Sequence, residues 1–288
     1  MYIDIFYKIL SESLLSLYPV FVKYINIPFG LELWSRFFTY VFISLFFIDK
    51  TFILKYIFSR SGLLLSFITI LHVYTSYRGF LLLDSGIAYS IFYTYPLMIL
   101  LLAKEKINYI IIAIIGVILL NEEKIDKEKF KNNDIFIKKN IKENFKYEGV
   151  CMIILAAFTE ALIYFTVKDI KTKNNWNHVF ISYALGTILF TIYYYKKIQY
   201  KNIIKPLTVS IFINIFVGLV GYLLRFYSMS RLTPIFYSIL SYFGILMAYV
   251  YGVIINNDEI TIKKIIGTLF ILIPNIYILL KPSSNSIS

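Results

Sequence analysis

The chain has 288 residues, 59% of them hydrophobic and 16% charged, with a mean hydropathy of +0.71. Its apolar runs of about 20 residues suit a hydrocarbon layer about 30 Å thick, more apolar chain than a soluble core could use, and being longer and more continuous than the alternating strands of a barrel they fit helices better than a β-barrel. The formal charge of +12 lies in short loops between these runs, as topology determinants do and a nucleic-acid footprint does not; the one cysteine, Cys151, excludes an intrachain disulfide framework or a multi-cysteine zinc site.

Five spans are expected in the first half, at 3–25, 32–49, 62–80, 85–103 and 107–121. The opening stretch MYIDIFYKILSESLL has no basic n-region and no small-residue cleavage site, so it reads as the start of a retained helix. Asn26-Ile27-Pro28-Phe29-Gly30 is a turn, and residues 50–61 form a basic loop. Residues 122–148 mix Lys with Asp and Glu and have almost no long apolar run: a solvated linker without a site. Five further spans follow at 149–168, 177–195, 206–226, 232–252 and 262–280. Asn108 and Thr261 stand where helix N-caps are wanted, just after Glu105 and Glu259. The domain division is therefore 1–121, linker 122–148, 149–281 and a polar tail 282–288.

The two halves repeat. At an offset of 148 residues Tyr89-Ser90-Ile91 falls on Tyr237-Ser238-Ile239, and Glu12 falls on Glu160; beyond the late acidic pair Asp258-Glu259, Ala113-Ile114-Ile115 falls on Gly267-Thr268-Leu269 at an offset of 154. Val22-Lys23-Tyr24-Ile25 and Val167-Lys168-Asp169-Ile170 close the first span of each half. Five is an odd number, so tandem copies sit upside down relative to each other. The expected fold is an all-α integral membrane protein with ten transmembrane helices in two inverted five-helix repeats. Lys8, Lys50, Lys55, Arg60, Lys104 and Lys106 against Lys23 and Arg78 place the N-terminus, and with it the C-terminus, on the cytoplasmic side.

The order of Lys23, Leu31-Glu32-Leu33, Arg36, Tyr95-Pro96-Leu97, Glu105 and Gly116, with Lys168, Glu259 and Gly267 in the second half, resembles the EamA-like branch of the drug/metabolite transporter superfamily. The resemblance implies ten helices in two five-helix repeats, and it covers nearly the whole chain outside 122–148. The chain departs from that pattern where Leu15-Ser16 replaces a Trp-Gly pair, where Gly244 stands opposite Pro96, where an Ala-Leu pair before the fourth span is absent, and in the length of its linker.

Ionisable and polar groups inside a span are costly and mark candidate sites. Glu12, Glu160, His72 and Asn214 fall deep in their spans. Arg36, Arg78 and Arg225 fall within about two turns of a span end, from where a long side chain reaches the interface; Arg36 also matches the family pattern. Tyr93, Thr94, Ser241 and Tyr242 on the fourth and ninth spans can line a cavity with Tyr89 and Tyr237, and Pro96 and Gly244 are candidate hinges. Two carboxylates together in low dielectric resist ionising together, which favours a cationic amine or a proton between Glu12 and Glu160. A direct ion pair of Glu12 with Arg36 is not expected.

No G-x-x-x-x-G-K-[ST] run exists, so ATP hydrolysis is not expected, and two His without a carboxylate motif make a poor catalytic or metal set. The expected function is secondary transport of a small polar metabolite, an amino acid or amine-like solute, by alternating access, coupled to protons or by exchange. A membrane-embedded enzyme and a channel or scaffold are the alternatives. No cofactor, metal or nucleic acid is called for; the partners are the solute and the lipid bilayer, and a homo-oligomer is open.

Overall fold

A computed structural model describes residues 2–25, 27–102, 115, 119, 144–194, 204–232, 237 and 240–280. The expected fifth span at 107–121 apart from Ile115 and Leu119, Lys104 to Lys106, Asn108, most of the linker and the tail 282–288 lie outside the described residues. Among those described, the secondary structure is helical and contains no strand.

The described residues of the first half hold α1 (Tyr2–Leu15), α2 (Tyr18–Tyr24), α3 (Phe29–Ser44), α4 (Lys50–Tyr56), α5 (Arg60–Leu82), α6 (Ser85–Phe92) and α7 (Tyr95–Leu102). The second half holds α8 (Asn144–Asp169), α9 (Asn175–Tyr194), α10 (Ile204–Ile213), a π-helical turn (Asn214–Leu219), α11 (Val220–Arg231), α12 (Phe243–Asn256) and α13 (Ile262–Leu280). Helix therefore stands at each expected span outside 107–121. Tyr2–Lys23, Tyr147–Asp169 and Lys205–Arg231 are each long and apolar enough to cross a membrane.

Two boundaries differ from expectation. The stretch expected as a loop at 50–61 contains α4, which meets α5 at a bend of 87°. Asp49 starts it, accepting from the backbone N–H of Thr51 at 3.0 Å and of Phe52 at 3.3 Å, as an N-cap does. The linker, expected to run to 148, gives way to α8 at Asn144. Thr261 does cap α13, its hydroxyl accepting from the Lys264 N–H at 3.3 Å.

Prolines account for the breaks inside two spans. Pro19 has no N–H for the carbonyl of Leu15, so α1 ends there, and the freed carbonyl accepts the hydroxyl proton of Tyr89. Pro96 likewise cannot donate to Phe92, and the fourth span breaks at Tyr93 and Thr94, between α6 and α7.

The packing is reciprocal between the halves. α1 packs on α11 as α8 packs on α5, and α1 meets α12 as α8 meets α7; α3 packs on α9. Helices 148 residues apart exchange places in these contacts. At one end of the bundle the Asp49 N–H donates to Asn177 at 2.9 Å, Asn174 donates to the Phe47 carbonyl at 2.8 Å, and Phe47 stacks on Trp176. At the other, Lys264 pairs with Asp84 at 2.9 Å, and Asp258 accepts from the Ser85 N–H at 3.2 Å.

Candidate functional site

Glu12 lies near the middle of Tyr2–Lys23 and Glu160 well inside Tyr147–Asp169, and both are fully buried. A carboxylate at that depth needs a cation and several donors. Glu12 has them: Lys8, one helical turn earlier, donates to Oε1, Tyr93 donates to Oε2, and Arg225 Nη2 reaches both oxygens at 3.2 and 3.1 Å. The other arm of Arg225, Nη1, holds Glu160 Oε1 at 2.8 Å. One guanidinium thus joins the two acids that the repeat places 148 residues apart. Lys8 also lies 3.5 Å from the ring centroid of Tyr237, within cation–π range.

Glu160 is less completely bonded. Its Oε2 is buried with no hydrogen-bond partner among the described residues, and His72 Nε2 lies 3.5 Å from it. His72, mid-way along α5, is held by the Ala156 carbonyl at 3.1 Å and the Thr159 hydroxyl at 3.3 Å on Nδ1, while Nε2 lies 3.3 Å from the Tyr222 hydroxyl.

Tyr222 leads to a second group. Arg36 sits half-way along α3 with its guanidinium carbon 4.7 to 5.7 Å from the ring centroids of Tyr18, Tyr40, Tyr77, Tyr183 and Tyr222. Its Nη2 donates to Tyr183 at 3.0 Å. Behind this cage Tyr18 donates to Asn214 at 3.0 Å, and Asn214 donates to Ser35 at 3.0 Å, tying the start of the π-helical turn to α3. Gly218, in the same turn, lets the Tyr18 and Tyr40 hydroxyls approach where any Cβ would overlap them.

Of the residues selected from sequence, Glu12, Glu160, His72 and Tyr93 converge on one centre. Arg36 and Asn214 belong to the adjoining cage. Ser241 accepts from Tyr95 at 2.6 Å, Thr94 bonds the Ile91 carbonyl at 2.9 Å, and the buried Tyr242 hydroxyl has no partner among the described residues; none of these three touches the acids. Gly244 lies against Tyr93, whose hydroxyl occupies the space a side chain would need.

Two readings are corrected. Arg36 and Arg225 do not extend to an interface, since their residues are 2% and 1% exposed. α3 starts at Phe29, which puts Arg36 at its middle, and Arg225 turns inward because two carboxylates face it. Only Arg78 is half-exposed, paired with Glu148 at 2.8 Å. The picture of two acids meeting without a cation is also overturned, because Lys8 and Arg225 already balance them. Lys8 was legible as a Lys four residues before a buried Glu, the spacing that puts both on one helix face.

Residues 147–280 match the model of the EamA-like transporter family, within the drug/metabolite transporter superfamily. The match spans Glu160, Asn214, Arg225 and Gly244. No curated protein matches the chain.

Proposed function

We propose that the chain, whose residues 147–280 match the EamA-like transporter family, is a secondary carrier of a small polar solute bearing an amine, an amino acid being favoured. It works by alternating access of two inverted five-helix repeats. The reciprocal packing of helices 148 residues apart supports the repeat arrangement, and the contacts that tie the halves at each end of the bundle supply two closures that can open in turn.

The observation that carries the solute class is Glu160 Oε2, a buried carboxylate oxygen without a donor, beside an imidazole and flanked by a guanidinium. An ammonium group or a proton completes it. A solute that is only a cation fits less well, because Lys8 and Arg225 already match Glu12 and Glu160 charge for charge. The amine therefore comes with a second, compensating charge. In proteoliposomes, wild-type protein should accumulate an amino acid in response to an imposed pH or solute gradient. Glu160→Gln, which keeps the shape and the Arg225 contact, should retain its melting temperature within a few degrees and lose most uptake together with its pH dependence. A folded Glu160→Gln protein with wild-type uptake and pH profile makes the acid a packing contact.

A further inference from the structure

Four cationic residues are buried among the described residues: Lys8, Arg36, Arg225 and Lys264. Lys8 and Arg225 pair with Glu12, Arg225 also with Glu160, and Lys264 with Asp84. Arg36 alone has no carboxylate within 4 Å among the described residues. Glu32, also buried and one turn earlier on α3, makes no ion pair with it. The Arg36 Nε has no hydrogen-bond partner among the described residues, and its Nη2 donates to the Tyr183 hydroxyl at 3.0 Å.

We infer that Arg36 is the anion-binding arm of the solute site and takes the carboxylate of the transported molecule. The inference rests on the transport reading and adds the recognition of the solute's negative end. Three observations support it. The cage is assembled from α2, α3, α5, α9 and α11, so helices of both halves converge on one guanidinium, as they do on Glu12 and Glu160. Tyrosine faces stabilise the cation and do not neutralise it, which leaves the charge in low dielectric with no carboxylate at ion-pair distance among the described residues. The cage also adjoins the amine end directly: the Tyr222 ring lies 4.8 Å from the Arg36 carbon and 5.4 Å from that of Arg225, while its hydroxyl is 3.3 Å from His72, the neighbour of Glu160 Oε2. An acceptor for an amine and a donor fork for a carboxylate are thus separated by one imidazole and one phenol. The planar fork of arginine suits a carboxylate in a way a lysine does not.

The test measures half-saturating concentrations by thermal shift of the full chain in detergent, using the twenty L-amino acids, the decarboxylated amines histamine, phenethylamine, agmatine and cadaverine, and the amine-free acids acetate and 3-phenylpropionate. At least one amino acid should stabilise the wild-type protein, its decarboxylated partner should bind at least tenfold more weakly, and Arg36→Gln should weaken the amino acid at least tenfold while changing the amine less than twofold. Arg36→Lys, which keeps the charge and the ring contacts, should fold even if Arg36→Gln does not, and should still lose several-fold for the amino acid alone. Equal loss for amino acid and amine, or no loss in either variant, overturns the assignment and makes Arg36 a structural cation. If amine-free acids bind in an Arg36-dependent manner while Glu160→Gln changes nothing, the anion site stands and the amine reading falls. If amines bind through Glu160 and Arg36 variants match wild type, the reverse holds. Silence of the whole panel counts against both.

Discussion

Tyr93 is where a single missing side chain has the largest consequence. It reaches the Oε2 of Glu12 only because residue 244 is glycine. Gly244→Ala should push the Tyr93 ring aside, weaken its bond to Glu12 and reduce transport by about tenfold or more; adding Tyr93→Phe, which gives up that bond in advance, should make the alanine substitution less harmful than it is alone, a coupling read by a double-mutant cycle of uptake rates. Position 244 was legible as the counterpart of Pro96, and the hinge assignment followed from that. The tyrosine pressed against it was not, since nothing in a chain with 26 tyrosines distinguishes one whose ring crosses to another helix. The same holds for the five around Arg36. Depth in a span found Glu12, Glu160 and His72, because a buried charge is costly wherever it stands. It misplaced Arg36, for a helix that starts three residues earlier turns a position near an end into one at the centre.

Elements were legible where the apolar run was long, and less so at the ends. α4 is too short and too basic to register as a span, yet Asp49 gives it a start: the Thr51 hydroxyl and the amides of Phe52 and Thr51 hold the Asp49 carboxyl below the usual carboxylate range. A folded-state value below the unfolded one contributes stability that is present above the unfolded value and lost as pH falls through the folded one. Asp49→Ala should therefore lower the melting temperature at pH 7, and the gap to wild type should close as the pH is taken below about 4, the ordinary range of an aspartate. Asp49→Asn, a neutral cap of similar strength, should stay close to wild type at pH 7 and show no such closing. Melting curves of the three proteins across that range decide it. The broken fourth span has the opposite legibility, since Pro96 marks the break in the sequence itself. The π-helical turn at Asn214–Leu219 had no signal beyond the polar Asn214.

For the molecule as a whole, the expectation of a repeat comes from the acids and the tetrads that recur together in the sequence, and helix contacts related by the same offset are consistent with it. What a repeat cannot reveal is where the halves differ. Lys8 and Arg225 have no cationic counterparts 148 residues away, where Ala156 and Tyr77 stand, and Arg36 faces no such partner at Ala184. On the proposed reading, Arg36 and Glu160 make the solute's own two charges part of the protein's charge balance. A zwitterionic amino acid adds one charge of each sign, so loading leaves the net charge of the protein unchanged, whereas a decarboxylated amine adds one charge, and each elementary charge displaced through the full field is worth about 2.3 kcal/mol per 100 mV. Proteoliposomes preloaded with unlabelled solute should therefore reach the same extent of amino-acid exchange at every imposed potential, while the extent of uptake of the decarboxylated amine should shift with it.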